Sequence, residues 1–284
     1  MNYRHAFHAG NHGDTLKHAV LARVLNYMTT KDKPFRLLDA HAGIGRYDLS
    51  GPEAFKTGEW REGIGLLMEA RLSPEEGDLL EPFLALLRSA NKAGPLRHYL
   101  GSPEIAVRMM RREDRIVLNE LHPQDRATLA SNYAGDARVR VSGVDAMQAV
   151  KAELPFPERR GVVLLDPAYE SDKDSDALVR MIREAVRRMS QSVIIAWYPV
   201  TTQHFADALL ENVRQTAIAG ILHLQLLVKE AHERGGLSGS GVLVVNPPWH
   251  LKEECDVLLP ALARILGKGR WGRSTVEWLT PPKP

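Results

Sequence analysis

Seven short apolar runs punctuate the chain: 35–40 (FRLLDA), 115–120 (RIVLNE), 138–143 (RVRVSG), 161–166 (GVVLLD), 192–198 (SVIIAWY), 221–228 (ILHLQLLV) and 241–246 (GVLVVN). Their centres are nearly continuous in aliphatic residues, the pattern of strands buried on both faces. Helical patterns separate them. In 14–28, Leu16, Val20, Val24 and Tyr27 recur on one face behind Asp14, which can cap. Ser102-Pro103 supplies a capping oxygen and then a proline suited to a first helical turn. Alternating strands and helices predict an α/β fold with a mostly parallel, seven-stranded sheet. The last two runs are joined by 235–241 (GGLSGSG), too short for a helix, and should pair as a C-terminal antiparallel hairpin at one end of the sheet.

One spacing breaks this rhythm. A strand–helix–strand unit usually spans about 30 residues, whereas Asp39 and Glu120, ending the first two strands, lie 81 positions apart. The excess holds 50–60 and then 73–94. There Ser73 and Glu76 form a capping box, Pro74 takes the first helical position, Pro82 restarts or kinks the helix, and Gly94-Pro95 stops it. The expected organisation is one α/β domain, residues 1–49 and 101–284, interrupted by a small helical insertion over 50–100.

Composition adds compartment and partner. With 284 residues, 44% apolar, the chain can bury a large core without disulfides, and its single cysteine, Cys255, suits a reducing compartment. No apolar run approaches the roughly 18 residues of a spanning helix, and the first residues lack the apolar stretch of a secretory signal. A cytoplasmic protein is expected. The net charge of +2 hides a bias: 26 of the 37 basic residues are Arg, whose planar fork grips phosphates in pairs. Residues 1–36 carry six bases against two acids, and further bases gather at 108–115 and 268–273. An anionic partner such as nucleic acid fits this distribution, as do solvated helix faces.

Candidate chemistry sits at the strand ends. Gly43 and Gly45 follow the first strand and allow close backbone approach, but Asp48 stands where the dinucleotide fingerprint needs its third glycine. That suits a ligand without a pyrophosphate, such as S-adenosylmethionine, and equally an ordinary strand–helix turn. Glu120, ending the second strand, can accept from ribose hydroxyls. Asp145, after the third, is placed to accept from an adenine amino group. The fourth strand ends in Asp166-Pro167-Ala168-Tyr169, close to the D/N-P-P-Y/F/W motif of amino-group methyltransferases. An exocyclic purine amine is a poor nucleophile; a carboxylate and a proline carbonyl accepting its two N–H bonds aim its lone pair, and Tyr169 offers a stacking face. Asn246-Pro247-Pro248-Trp249 matches the motif better in form, yet follows the seventh strand, whose end need not lie beside the cofactor. His5, His8, His12 and His18 invite a metal reading, but Gly10 and Gly13 interrupt any shared helical face and no metal-ligand motif accompanies them.

Taken together, these residues resemble the ribosomal large-subunit methyltransferase J family, enzymes that methylate N6 of one adenosine in 23S ribosomal RNA. The similar stretches run from Tyr3-Arg4-His5 through Phe7-His8-Ala9-Gly10-Asn11-His12 to Leu16-Lys17-His18, then Asp39–Tyr47, Gly101-Ser102-Pro103, Asn119–Pro123, Asp166-Pro167 with Tyr169, and Asn246–Trp249. The resemblance implies a monomeric, Rossmann-like class I methyltransferase. It implies S-adenosylmethionine contacts from His18, His41, Ser102, Glu120, Asp145, Ala146 and Asp166, with Asp166 as the catalytic acceptor. Tyr3, with His5 and Lys17, would meet the RNA. Residues 1–12, polar and glycine-broken, are therefore expected to serve the substrate site rather than the core. Two positions depart from the family pattern: Ala168 replaces its usual Pro, and Ala146 stands where Gly is common. Three rivals differ in chemistry: a guanine-N2 rRNA methyltransferase with a similar motif, a nicotinamide oxidoreductase lacking its third glycine, and a non-catalytic RNA-binding module.

Overall fold

The computed structural model describes residues 4–92, 94–171, 173–230 and 236–283; Tyr3 lies outside them. The strands are β1 (Arg36–Asp39), β2 (Arg46–Asp48), β3 (His98–Leu100), β4 (Arg115–Asn119), β5 (Val139–Ser142), β6 (Gly161–Leu165), β7 (Val193–Val200), β8 (Ile221–Leu227), β9 (Gly239–Val245) and β10 (Arg273–Thr280). The helices are α1 (His12–Thr29), α2 (Pro52–Thr57), α3 (Ile64–Glu69), α4 (Pro74–Ala90), α5 (Ser102–Met109), α6 (Pro123–Tyr133), α7 (Ala146–Glu153), α8 (Lys173–Arg188), α9 (Gln203–Arg214) and α10 (Leu251–Leu266).

All seven apolar runs form strands of one sheet, ordered β10-β8-β9-β7-β6-β1-β4-β5. Pairing is parallel from β5 through β7, while β9 opposes β7, β8 opposes β9 and β10 opposes β8. The sheet thus has eight strands, not seven, and the hairpin is not its edge. The edge is β10, whose residues are mostly half-buried and so lack a solid apolar run. Within β1, Leu37 joins one core and Leu38 the other. The first core gathers α1, α4, α5, α6 and α10; the second gathers α7, α8 and α9. Two buried faces explain why these strands do not alternate in polarity.

Residues 50–100 leave and return through the β2–β3 antiparallel ribbon. The Ser73–Glu76 capping box forms as expected, but α4 continues through Pro82. Leu80, Phe83, Leu84 and Leu87 are buried in the core shared with α1, which holds the helix on both sides of the proline. Helix α1 also starts earlier than expected. Asn11, not Asp14, is its cap, its Oδ1 accepting from Asp14 N–H at 3.0 Å. Nor do residues 4–12 stand apart from the core. Ala9 is buried, Gly10 C=O accepts from Ile64 N–H, Phe7 C=O accepts from Thr57, and His8 bonds Glu59.

Candidate active site

The order β6-β1-β4 makes β1 the switch point, where the chain turns to either side of the first strand and the carboxyl ends of adjacent strands diverge. A cleft opens there, lined by residues following β1 (His41, Ala42, Gly43), β4 (Glu120) and β6 (Asp166, Ala168). Gly101 and Ser102 at the start of α5, and His5, Lys17 and His18 from the N-terminal segment and α1, complete its wall. Gly43 has φ +62°, and a Cβ there would lie 2.3 Å from the Tyr47 hydroxyl, so only glycine keeps this floor open.

Each carboxylate is held differently. Asp39 is fully buried, accepting from Ser102 Oγ at 2.6 Å and His41 N–H at 3.2 Å; burial pushes its pKa up to about 6. Glu120 accepts from Gly43 N–H (2.8 Å) and His122 N–H (2.7 Å), one bond on each oxygen, and burial raises its pKa. Each oxygen keeps a second lone pair for a ligand hydroxyl. Asp166 receives Lys17 Nζ on Oδ2, while its backbone N–H donates to His41 Nδ1 at 3.0 Å. His41 must therefore be unprotonated at Nδ1, and burial lowers its pKa to about 4.

Lys17 was expected at the RNA surface. It is buried instead, bridging Asp166 and Asp14, the latter at 2.9 Å. Two flanking carboxylates outweigh the desolvation that opposes its charge and raise its pKa. Asp14 in turn accepts from His5 Nε2 (2.8 Å) and Gly10 N–H (2.9 Å), so the N-terminal segment is tied to the Asp166 loop through two buried charges. Read only as a cap, Asp14 was missed. Its signal was the acid–base pair at i, i+3 on the helix that carries the apolar Leu16, Val20 and Val24 face. Tyr47 and Asp125, which also line the cleft, carried no distinguishing signal.

His18 is fully buried, its Nδ1 bonded to the Tyr99 hydroxyl at 2.6 Å and its Nε2 without a protein partner. An unpaired buried nitrogen beside the cleft is what a bound ligand would satisfy. The other expected residues lie farther out. Asp145 is exposed and caps α7 by accepting from Met147 N–H and Gln148 N–H; Ala146 packs on the second core. Neither lines the cleft. Tyr169 does not line it either: its ring packs edge-on against Trp197 and Phe205 at 5.8 and 6.0 Å, and its hydroxyl donates to Trp197 C=O at 3.1 Å. The face expected to stack on a base anchors the 166–169 loop to β7 and α9.

The second motif is elsewhere. Val245 pairs with Ile194 near the start of β7, so Asn246 follows β9 at the end of the sheet where the parallel strands begin. Its Nδ2 donates to Ser190 C=O (2.6 Å) and Ser192 C=O (3.0 Å).

Residues 32–280 match the family model described as ribosomal RNA large subunit methyltransferase D, RlmJ. The chain belongs to this family. Two relatives named ribosomal RNA large subunit methyltransferase J are 41% identical (Haemophilus influenzae) and 40% identical (Escherichia coli), each over 99% of both chains. A crystal structure of a Legionella pneumophila protein superposes with a TM-score of 0.87 at 29% identity, covering 95% of this chain and 98% of that one. That protein shares the fold described above, a mostly parallel sheet with an antiparallel end.

Proposed function

We propose that this protein transfers a methyl group from S-adenosylmethionine to the exocyclic N6 amine of one adenosine in 23S ribosomal RNA, giving N6-methyladenosine. Membership of the family supports the reaction class. The observation that carries the reading is that Asp166, just after the strand beside β1, lines the switch-point cleft.

The cleft's residues suit the cofactor. His18 Nε2 offers an unsatisfied buried nitrogen, Gly43 keeps the floor open, and Glu120 has lone pairs for ribose hydroxyls. The bound donor supplies an electrophilic methyl group on a sulfonium. The protein supplies alignment. The Asp166 carboxylate and the Pro167 carbonyl accept the amine's N–H bonds and turn its lone pair toward the methyl carbon. Lys17 holds Asp166 Oδ2 and leaves Oδ1 for the amine. His41 fixes the loop by accepting the Asp166 N–H. As the C–N bond forms, the methyl–sulfonium bond would break and leave S-adenosylhomocysteine as a neutral thioether; the adjacent carboxylate stabilises the positive charge on the nitrogen, whose proton then passes to solvent. His5, in the cleft wall, belongs at the RNA entrance. Asp145 and Ala146, outside the cleft lining, would be reached only by an adenine that extends beyond it, and 50–100 is an insertion subdomain that holds the N-terminal segment. The enzyme works as a cytoplasmic monomer.

A tritiated-methyl transfer assay on unmodified 23S RNA, followed by nucleoside analysis, tests the reading. The expected product is N6-methyladenosine. N2-methylguanosine would move the protein to the guanine class, and absence of S-adenosylhomocysteine binding would remove it from methyl transfer.

A further inference from the structure

The Asn246-Pro247-Pro248-Trp249 loop borders a groove of about 860 Å³ at the opposite end of the sheet from Asp166. Gly161, opening β6, lines this groove, whereas Asp166 follows the last residue of β6. At about 3.3 Å per residue the two sites are ~16 Å apart through the strand. One molecule of cofactor or one nucleotide cannot occupy both.

The groove combines three features. The first is charge: Lys31, Lys33, Arg159 and Arg160 line it, with Asp32 as the one acid in its lining among the described residues. Arg160 is committed to the backbone carbonyls of Lys33 and Met28. Lys31, Lys33 and Arg159 are exposed, and among the described residues none of them pairs with a carboxylate. The second is aromatic. Trp249 is 72% exposed, set behind two prolines and anchored through the two Asn246 bonds. The loop is thus fixed while its indole faces solvent. The third is strain. Arg159 has φ +55°, a left-handed conformation that is strained for a non-glycine residue. It places a guanidinium where a glycine would fit the backbone better.

Lys31 lies over the Tyr27 ring, and Trp249 touches the His250 ring but stays largely exposed. Cations without carboxylate partners around an exposed indole are the elements that bind single-stranded nucleic acid: phosphates on the cations, a base stacked on the ring. We propose that this groove holds an unpaired stretch of the substrate RNA away from the reacting adenosine. It acts as a second anchor that raises affinity without touching chemistry. The inference rests on the RNA reading of the cleft.

Trp249→Ala and the double variant Lys31→Gln/Arg159→Gln test it, with folding checked by thermal melting and S-adenosylhomocysteine affinity. On full-length 23S RNA, Trp249→Ala should raise KM about tenfold with kcat unchanged, the scale of one lost stack. The double variant should flatten the slope of log K against log salt by about 1.4, two contacts to single-stranded phosphate. Wild-type KM and salt slope in both, with the wild-type enzyme methylating normally, would overturn the anchor and leave the active-site reading intact. Variants impaired only on ribosomal particles, not on naked RNA, would also overturn it and mark the groove as a protein contact. A wild-type enzyme that neither binds nor methylates RNA would overturn both.

Discussion

Two tetrapeptides that approach one motif, Asp166-Pro167-Ala168-Tyr169 and Asn246-Pro247-Pro248-Trp249, lie at opposite ends of one sheet. The first follows a parallel strand beside β1 and meets the cleft; the second follows an antiparallel strand and meets the groove across the sheet. The better match to the motif is in the worse place. Strand direction, not local sequence, decides which loop reaches the switch point. The neighbours differ accordingly. Asp166 touches Lys17 and His41, groups that set charge and orientation, whereas the Asn246 amide is spent on two backbone carbonyls and can only hold the loop.

The contrast can be broken from the first loop's side most severely at Lys17. Lys17→Ala would leave Asp14 and Asp166 facing each other with no cation between them. The loss should be about 3–5 kcal/mol of stability, read by urea or thermal unfolding. A near-neutral effect would mean that water or His5 already compensates this pair. Glu120→Ala, on the cofactor side, should weaken S-adenosylhomocysteine by about 1.5–3 kcal/mol in calorimetry; an unchanged Kd would remove Glu120 from the site.

On the other loop, Asn246→Ala should cost about 1–2 kcal/mol in stability, from two lost hydrogen bonds and a left-handed backbone position that Asn tolerates better than Ala (φ +50°). Asn246→Gly should recover the backbone part and not the hydrogen bonds.

The smallest effect expected is in pH dependence. His41 is neutral in the folded protein down to about pH 4, while the unfolded chain takes its proton near 6.5. Stability therefore falls as pH drops through this window and is full above it. His41→Asn keeps an acceptor for the Asp166 N–H and cannot protonate. It should flatten the slope by at most one proton, about 1.4 kcal/mol per pH unit. His12, also lowered to about 4 by burial, leaves a residual slope in the variant.

Much of the fold was legible because a doubly covered sheet writes solid apolar runs, and each of the seven became a strand. β10 was not, since an edge strand with half-buried residues has no such run. Asp166, Glu120, His41, Ser102 and His18 do gather at one cleft, because strand ends and the α5 turn converge at the switch point. Tyr169 and Lys17 went the other way. Whether a tyrosine stacks on a base or on Trp197, and whether a lysine meets phosphate or two buried carboxylates, depends on partners far apart in sequence. The N-terminal segment looked unburied for the same reason: its partners, Ile64, Thr57 and Glu59, lie in the insertion.

Asp166, not Asn246, is the proposed acceptor for the reacting amine. The most direct test is single-turnover methyl transfer by Asp166→Ala and Asn246→Ala, measured side by side at saturating RNA and cofactor. The account predicts a loss of about 10²–10³ in rate for Asp166→Ala and a rate within a factor of about two of wild type for Asn246→Ala, whose loop touches no reacting atom. An active Asp166→Ala beside an inactive Asn246→Ala would contradict it.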